Sequence, residues 1–292
     1  QNMNFIERYD PEYVVVLSGD HIYKMDYAEM VRRHKETQAD CTIAVINVPP
    51  EETSRFGIMS TDADGRIVKF EEKPKKTDST QASMGVYVFS KDKLFQYLEA
   101  DDRDPSSEND FGKNIIPHML SAGERMFAYP FEGYWKDVGT IQSLWEANMD
   151  LLGDRPALDL RDESWRIFSR NYAEPPQFVG ENAVIGNALV TEGCEIYGSV
   201  VNSVISGGVV VEKGATVKDS VILDGVRICE GAQVRYSILD AGTTVGRGER
   251  KNASGITLVG GGLTLPENAV IPDGVRADAA YVAALEQARE AV

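Results

Sequence analysis

The sequence is poor in the side chains that most often carry chemistry by themselves: among its 292 residues are three cysteines and three histidines. Cys41, Cys194 and Cys229 are odd in number and widely separated. That excludes a disulfide framework and the close spacing of a zinc site, and leaves thiols suited to a reducing cytosol. Positive charge is also scarce. Thirty Lys and Arg stand against 46 Asp and Glu, a formal net charge of -16, which repels a nucleic-acid backbone and an anionic membrane surface. No apolar run approaches the roughly 20 residues of a membrane helix, and residues 1–10 show no basic segment leading into an apolar one. A soluble, cytoplasmic protein that binds neither nucleic acid nor membrane is the expectation. A small phosphorylated substrate remains compatible with the acidic balance, because one bound Mg2+ and one or two lysines set the local potential against the global charge.

What is present is enough apolar material for two cores, 42% of the chain, and two different textures. From Val14 to Leu152 short β-rich runs alternate with helical stretches, which predicts a mainly parallel sheet covered by helices. Val14 to Leu17 lacks polar alternation and is expected to be a central strand buried on both faces. Because that strand comes so early, the chain is expected to begin inside a domain. Tyr27 to Gln38 is predicted as a helix capped by Asp26, and Asp62-Ala63-Asp64-Gly65 as a hairpin turn. Cys41 to Val48 and Met84 to Phe89 are further strands. Lys91 to Glu99, Phe111 to Ser121 and Thr140 to Leu152 are further helices. Residues 1–153 are thus one domain and residues 154–178 a linker.

Residues 179–292 have a period of six. Val184, Val190 and Ile196 are followed, after a two-residue slip, by Val204, Val210, Thr216, Ile222, Ile228 and Val234. A second register runs through Ile205, Val211, Val217 and Leu223. This is the hexapeptide repeat of a parallel β-helix, and proteins with such repeats coil left-handed, against the usual crossover rule. Residues 278–291 are expected to form a closing helix.

The chemistry-bearing residues cluster in the first domain. Asp20, in Leu17-Ser18-Gly19-Asp20-His21, follows the carboxyl end of a strand, where open α/β sheets place ligands. An Asp there is equally a turn residue. Asp137, in Tyr134-Trp135-Lys136-Asp137-Val138-Gly139, offers a second carboxylate, or alternatively caps the helix after Thr140. Two carboxylates that leave positions for water and phosphate oxygens suit Mg2+. Lys73 can meet a phosphate as a point charge and Glu72 can accept bonds from sugar hydroxyls, or the two form an exposed ion pair before Pro74. Ser83, Gly85 and Gly57 offer small surfaces for close approach of a sugar, though small residues need no function there. His21 sits beside Asp20 as a possible support, and His34 and His118 are expected on helix surfaces.

The segments SGDHIYKMDY, RFGIM, EEKP, ASMGVYVF, NDFGKNIIP and YWKDVGT occur here in the order found in the bacterial glucose-1-phosphate adenylyltransferase family, which the chain resembles over nearly its whole length. The resemblance implies a nucleotide-diphospho-sugar transferase-like catalytic domain that joins ATP and glucose-1-phosphate into ADP-glucose and pyrophosphate for glycogen synthesis. It implies that Asp20 and Asp137 are catalytic and hold Mg2+ and that Lys73 binds the sugar phosphate. Glu72, Ser83 and Gly57 would contact the sugar nucleotide, and Asp110 and Trp135 would line the glucose pocket. It further implies an allosteric homotetramer joined through the β-helix. The family's opening glycine-rich loop, of the type GGxGxRL, has no counterpart here, so most of the ATP site is expected to be missing and the chain inactive alone. Two rivals stand beside this reading. A hexapeptide acyltransferase would use a histidine in the coils, which contain none. A non-catalytic regulatory subunit would have lost a metal carboxylate, whereas Asp20, Lys73 and Asp137 are all present.

Overall fold

The computed structural model describes residues 2–169, 173–246 and 255–290. Contact density divides the chain into two units, Gln1–Trp135 and Lys136–Val292. In chain order the first unit carries α1 (Met3–Glu7), β1 (Tyr13–Val16), β2 (His21–Tyr23), α2 (Tyr27–Glu36), β3 (Cys41–Asn47), β4 (Gly57–Thr61), β5 (Ile67–Glu72), β6 (Gln81–Ser90), α3 (Lys91–Asp102), α4 (Ile116–Ser121) and β7 (Met126–Pro130). Its last strand, β8 (Trp135–Asp137), runs across the division.

The main sheet has the order β5-β4-β6-β3-β7, with β1 also on β6. It is mixed, not mainly parallel: β6 runs antiparallel to β1, β3 and β4, and among the described pairs in this sheet only β3 with β7 is parallel. The reason lies in the connections. The β4–β5 hairpin returns the chain after a tight turn at Gly65 (φ 81°), and a loop with no helix then leads straight into β6, whereas parallel neighbours need a long crossover. A second expectation also changes. Val14 to Leu17 is not a doubly buried strand, since Val15 is 38% and Leu17 45% exposed. Among the described strands β1 has β6 as its one neighbour.

The core of this unit gathers Ile43, Phe89, Leu94, Ile116, Met119 and Met126 on one face of the sheet, and Met30, Ala44, Met84 and Val88 on the other. Helix α2 begins at Asp26, whose carboxylate accepts the Ala28 amide at 2.9 Å, satisfying one of the donors a helix start leaves free. Phe111 to Ser121 is helical as expected, but it opens with a wide turn in which the Ile115 amide reaches back to the Asp110 carbonyl at 3.3 Å, before α4 takes over at Ile116.

His34 departs from expectation. It is buried, not on the helix surface; His118 is exposed as expected. The Ser90 hydroxyl donates to the Ala39 carbonyl at 3.0 Å, so its oxygen accepts from His34 Nε2 at 3.2 Å. Thr42 then donates to Nδ1 at 2.8 Å. The imidazole is neutral and fully paired, and burial pushes its pKa down from 6.5 to about 4. The unfolded side chain takes up a proton near pH 6.5 while the folded one does not, so this site favours unfolding increasingly as pH falls from 6.5 toward 4. The loss amounts to roughly 3 kcal/mol at most, at 1.4 kcal/mol per pH unit. Urea midpoints of the wild type at pH 7 and pH 4.5 should show it, and His34→Gln should flatten that pH dependence. An unchanged slope in the variant would assign the acid sensitivity elsewhere.

The second unit is a parallel β-helix with a helix on its flank. The middle coils are seventeen residues long, since Val204 pairs with Val221 and Val210 with Arg227. The strict period of six therefore holds for two sides of each coil and breaks at the third. The buried series is Ile205, Val211, Val217, Ile222, Ile228, Val234 and Leu239, which leaves Val204, Val210, Thr216 and Leu223 only half-buried and Val184 exposed. The physical reason is the short side. Asn202, Asp219 and Tyr236 adopt φ of 47°, 50° and 45°, turning the chain one residue early. Each is followed by a buried serine. The amide of Ser220 donates to Ser203 Oγ at 3.1 Å and that of Ser237 to Ser220 Oγ at 3.2 Å. This hydroxyl ladder replaces the backbone pairing that the early turn removes.

The helix that the sequence reading joins to the first domain, α5 (Ile141–Met149), packs on these coils. Ile141, Trp145 and Met149 lie against Val221, Ile238 and Ile256. Trp145 Nε1 donates to the Asp219 carbonyl at 2.9 Å, and its ring meets Tyr236 edge-on at 4.7 Å. The apolar stripe of α5 finds a fixed aliphatic surface there. The contact division accordingly falls before α5. A closing helix, α6 (Ala279–Glu290), begins where Asp278 accepts the Tyr281 amide at 2.9 Å; the last two residues of the chain lie outside the described ones.

Candidate active site

Two groups of candidate residues form, one at the β2–β8 ribbon and one at the end of β5. In the first, the turn after β1 carries Asp20, whose Oδ1 accepts the Ser18 hydroxyl at 2.6 Å. That bond holds its carboxyl below the ordinary range, against a small opposing effect of burial. His21 opens β2, which pairs with β8 as a two-stranded ribbon. Its ring is held on every side. Nδ1 lies 2.7 Å from the Met84 carbonyl, Trp135 meets it edge-on at 5.2 Å, and Gly85 lies beneath it. A methyl group on Gly85 would stand 3.1 Å from His21 Cε1 and 3.3 Å from Ser18 Cβ. With φ at 66° as well, this glycine is required by both space and backbone.

Asp137 ends β8, and its Oδ1 accepts the Gly139 amide at 2.7 Å. Ligand atoms of Asp20, His21 and Asp137 all lie within 4.8 Å of one another. Opposite ligands of a small divalent ion are about 4.2 Å apart, so these donors fit one ion with a shift of a few tenths of an ångström. The cap role considered for Asp137 falls to Thr140 and Ser143, which exchange reciprocal bonds at the start of α5.

In the second group, Glu72 ends β5 between two glycines. A Cβ on Gly57 would approach its Oε2 to 2.9 Å, and one on Gly112 to 2.5 Å. Burial raises its carboxyl pKa, with Lys73 opposing and Asp110 reinforcing the shift. Lys73 is left-handed at φ 46°, a conformation that costs a side-chain residue on the order of 1 kcal/mol. Its amide is tied to the Phe56 carbonyl at 3.0 Å, and its side chain, 62% exposed, carries Nζ to 3.8 Å from Glu72 Oε1. The pair is thus a loose contact with the ammonium open to solvent. Asp110 accepts the Lys113 amide at 2.9 Å and so caps the turn that carries Gly112. Gly112 was not among the sequence candidates; its signal was the glycine within Asn109-Asp110-Phe111-Gly112.

Trp135 joins the groups. One side of its indole meets His21, and Phe56, the neighbour of Gly57, meets it at 5.2 Å. Its Nε1 is buried with no hydrogen-bond partner among the described residues. A buried donor left unpaired costs about 1–3 kcal/mol, which marks a place where a ligand acceptor is expected. Ser83 points inward instead: it is 8% exposed, accepts the Gly85 amide at 3.3 Å and lies 3.5 Å from the Tyr87 hydroxyl.

A pair of carboxylates, an exposed lysine and a glycine-walled carboxylate are groups that a phosphate-transfer centre uses. A nucleotidyl transferase family model matches residues 1–153. The chain belongs to the nucleotidyl transferase family. A GlmU-like C-terminal hexapeptide model matches residues 175–259, in keeping with the left-handed coil expected of those repeats. Similar curated proteins include glucose-1-phosphate adenylyltransferases of Clostridium perfringens, at 61% identity over 75% of this chain and 56% of the relative, and of Desulforamulus reducens, at 58% over 75% and 55%. That of Bacillus cereus is 55% identical over 75% of this chain and 58% of its own length. The chain therefore spans about half the length of the curated relatives it matches. Nucleotidyl transferases generally use a divalent metal, and the carboxylate pair suits one. Among the described residues no helix is long and apolar enough to cross a membrane.

Proposed function

We propose that this chain carries the sugar-phosphate and metal half of a cytosolic glucose-1-phosphate adenylyltransferase, which transfers the adenylyl group of ATP to glucose-1-phosphate for glycogen synthesis. The observation that carries the reading is the convergence of Asp20 and Asp137, beside relatives that bear that name at 55–61% identity. When bound, Mg2+ would neutralise phosphate charge between the two carboxylates. Lys73 reaches toward the phosphate of glucose-1-phosphate as a point charge, and Glu72, walled by Gly57 and Gly112, accepts from sugar hydroxyls. Trp135 offers its unpaired N–H. Asp110 holds the Gly112 turn in place, and Gly85 with Ser83 shapes the floor under His21.

The nucleophile is a phosphate oxygen already ionised, since a monoester's second pKa is near 6. It forms a bond to the α-phosphorus of ATP as the bond to the β-phosphate oxygen breaks, and pyrophosphate leaves with that electron pair. No general base is needed. Positioning and charge supply the rate, which explains why so few histidines and cysteines suffice. The homotetramer and the allosteric control implied by the family resemblance belong to the same proposal.

The test is pyrophosphate release from ATP, UTP or dTTP in the presence of glucose-1-phosphate. It is run on this chain alone and on the chain completed to the length of its relatives. Release with ATP by the completed protein, and none by the chain alone, is the expected result. Faster release with UTP or dTTP would overturn the adenylyl assignment.

A further inference from the structure

His21 occupies a place that two carboxylates do not explain. Its Nδ1 is 2.7 Å from a carbonyl oxygen, which can only accept, so Nδ1 carries the hydrogen. In the neutral ring Nε2 is then a bare lone pair. That lone pair lies 3.6 Å from Asp20 Oδ1, an atom already receiving the Ser18 hydroxyl and with nothing to donate in return. With the ring neutral, two acceptors held face to face in this way repel, and either a proton or a metal cation between them relieves the contact. The arrangement is not soft: the His21 side chain is 13% exposed, its ring is backed by Trp135, and Gly85 is the one residue small enough to let it sit there. A histidine that binds a metal through one nitrogen almost always donates its other N–H to a carbonyl, a carboxylate or water. His21 already does so without the metal.

We infer that His21 Nε2 is a third inner ligand of the metal held by Asp20 and Asp137, making the centre one nitrogen and two carboxylates. This rests on the metal reading above and specifies it further. Around an ion with ligands at about 2.1 Å, adjacent donors lie about 3.0 Å apart and opposite ones about 4.2 Å. The 3.6 Å between Nε2 and Asp20 Oδ1 lies between those two spacings, so a small rotation of the exposed Asp20 carboxylate brings both donors onto one ion. The consequence is selectivity. Imidazole nitrogen favours transition ions over Mg2+ more than carboxylate does, so the site holds Mn2+ or Co2+ more tightly, relative to Mg2+, than a purely carboxylate site would.

The probe is Mn2+ alone, bound to the full chain at fixed pH and followed by electron paramagnetic resonance. Electron spin echo modulation should show a directly coupled 14N nucleus. Growth on 15N-histidine should replace that coupling with the 15N pattern, a test that requires no substitution. In His21→Gln the nitrogen coupling should vanish and the Mn2+ dissociation constant rise about tenfold, the scale that even supporting partners of a metal ligand reach. His118→Gln, remote from the ribbon, should change neither. Mn2+ that binds in an Asp20-dependent way with no nitrogen coupling would overturn the histidine ligand while leaving the carboxylate site standing. No Mn2+ binding at all would sink both.

Discussion

Asp20→Asn and Asp137→Asn, each introduced into the protein completed to the length of its relatives, should lower kcat by about three orders of magnitude or more, a loss of about 4 kcal/mol of transition-state stabilisation. The substitution keeps the shape of the side chain and removes its charge. What is lost is the pull on a divalent ion and, through it, on the phosphate charge that develops during transfer. Neither change should disturb the fold. Asp20 is 58% exposed, and its bond to Ser18 is an exposed one. The Gly139 amide bond to Asp137 Oδ1 can be accepted equally by the Asn carbonyl oxygen. Melting temperatures within a few degrees of wild type, alongside pyrophosphate release reduced a thousandfold, are the expected pair of measurements. Near-normal turnover in both variants would remove the metal assignment.

The largest expected effect on stability lies in the β-helix, at Gly198. Its α-carbon faces the next coil so closely that an added Cβ would overlap the Ala215 carbonyl oxygen. It would also stand 2.7 Å from the Glu212 carbonyl oxygen and 3.0 Å from a methyl of Val211. Two of these three neighbours are backbone. They are themselves held in place, because the Ala215 carbonyl accepts the Ser199 amide at 2.8 Å. A flexible side chain could step aside, but a stacked coil cannot do so without breaking its ladder. Gly198→Ala should therefore destabilise the β-helix by about 3 kcal/mol, at the upper end for overpacking a well-filled site. Urea unfolding followed by circular dichroism would measure it. The turn glycine Gly225, also in the β-helix, provides the contrast in mechanism: nothing lies within 4 Å of its added Cβ, but its φ is 64°. An alanine there meets backbone strain alone, on the order of 1 kcal/mol. Equal losses at the two positions would show that coil contact is not what makes Gly198 special.

How far the residues alone could lead differs between the two units for a reason of range. A hexapeptide repeat writes its structure into neighbouring residues, so the β-helix was legible from Val210, Ile222 and Ile228 at their spacing. Which register faces inward was not legible. The seventeen-residue coil depends on left-handed corners at Asn202, Asp219 and Tyr236, and a polar or aromatic residue does not announce such a corner by itself. In the first unit the helix capped by Asp26 and the hairpin at Gly65 rest on local chemistry and were legible. The direction of β6, the exposure of Val15 and the burial of His34 each depend on which strand or hydroxyl lies alongside, and no local pattern specifies that. Helix α5 is the clearest instance. Its sequence dictates an amphipathic helix begun by Thr140, but its apolar stripe fits any aliphatic surface, and the coils supply it.

By itself the sequence determined the two textures of the chain, the donor set of acidic residues and a lysine, and the low count of cysteine and histidine. With the family resemblance, these led to the expectation of a phosphate chemistry that relies on charge and position. Only the tertiary structure decided that Asp20 and Asp137, far apart along the chain, stand beside one histidine nitrogen, that Glu72 is walled by Gly57 and Gly112, and that Trp135 bridges the two groups. The physical reason is that an ion or a sugar is held by atoms a few ångströms apart in space. Strand pairing and core packing set those distances over many residues, while composition, spacing and caps act only within a turn or a coil.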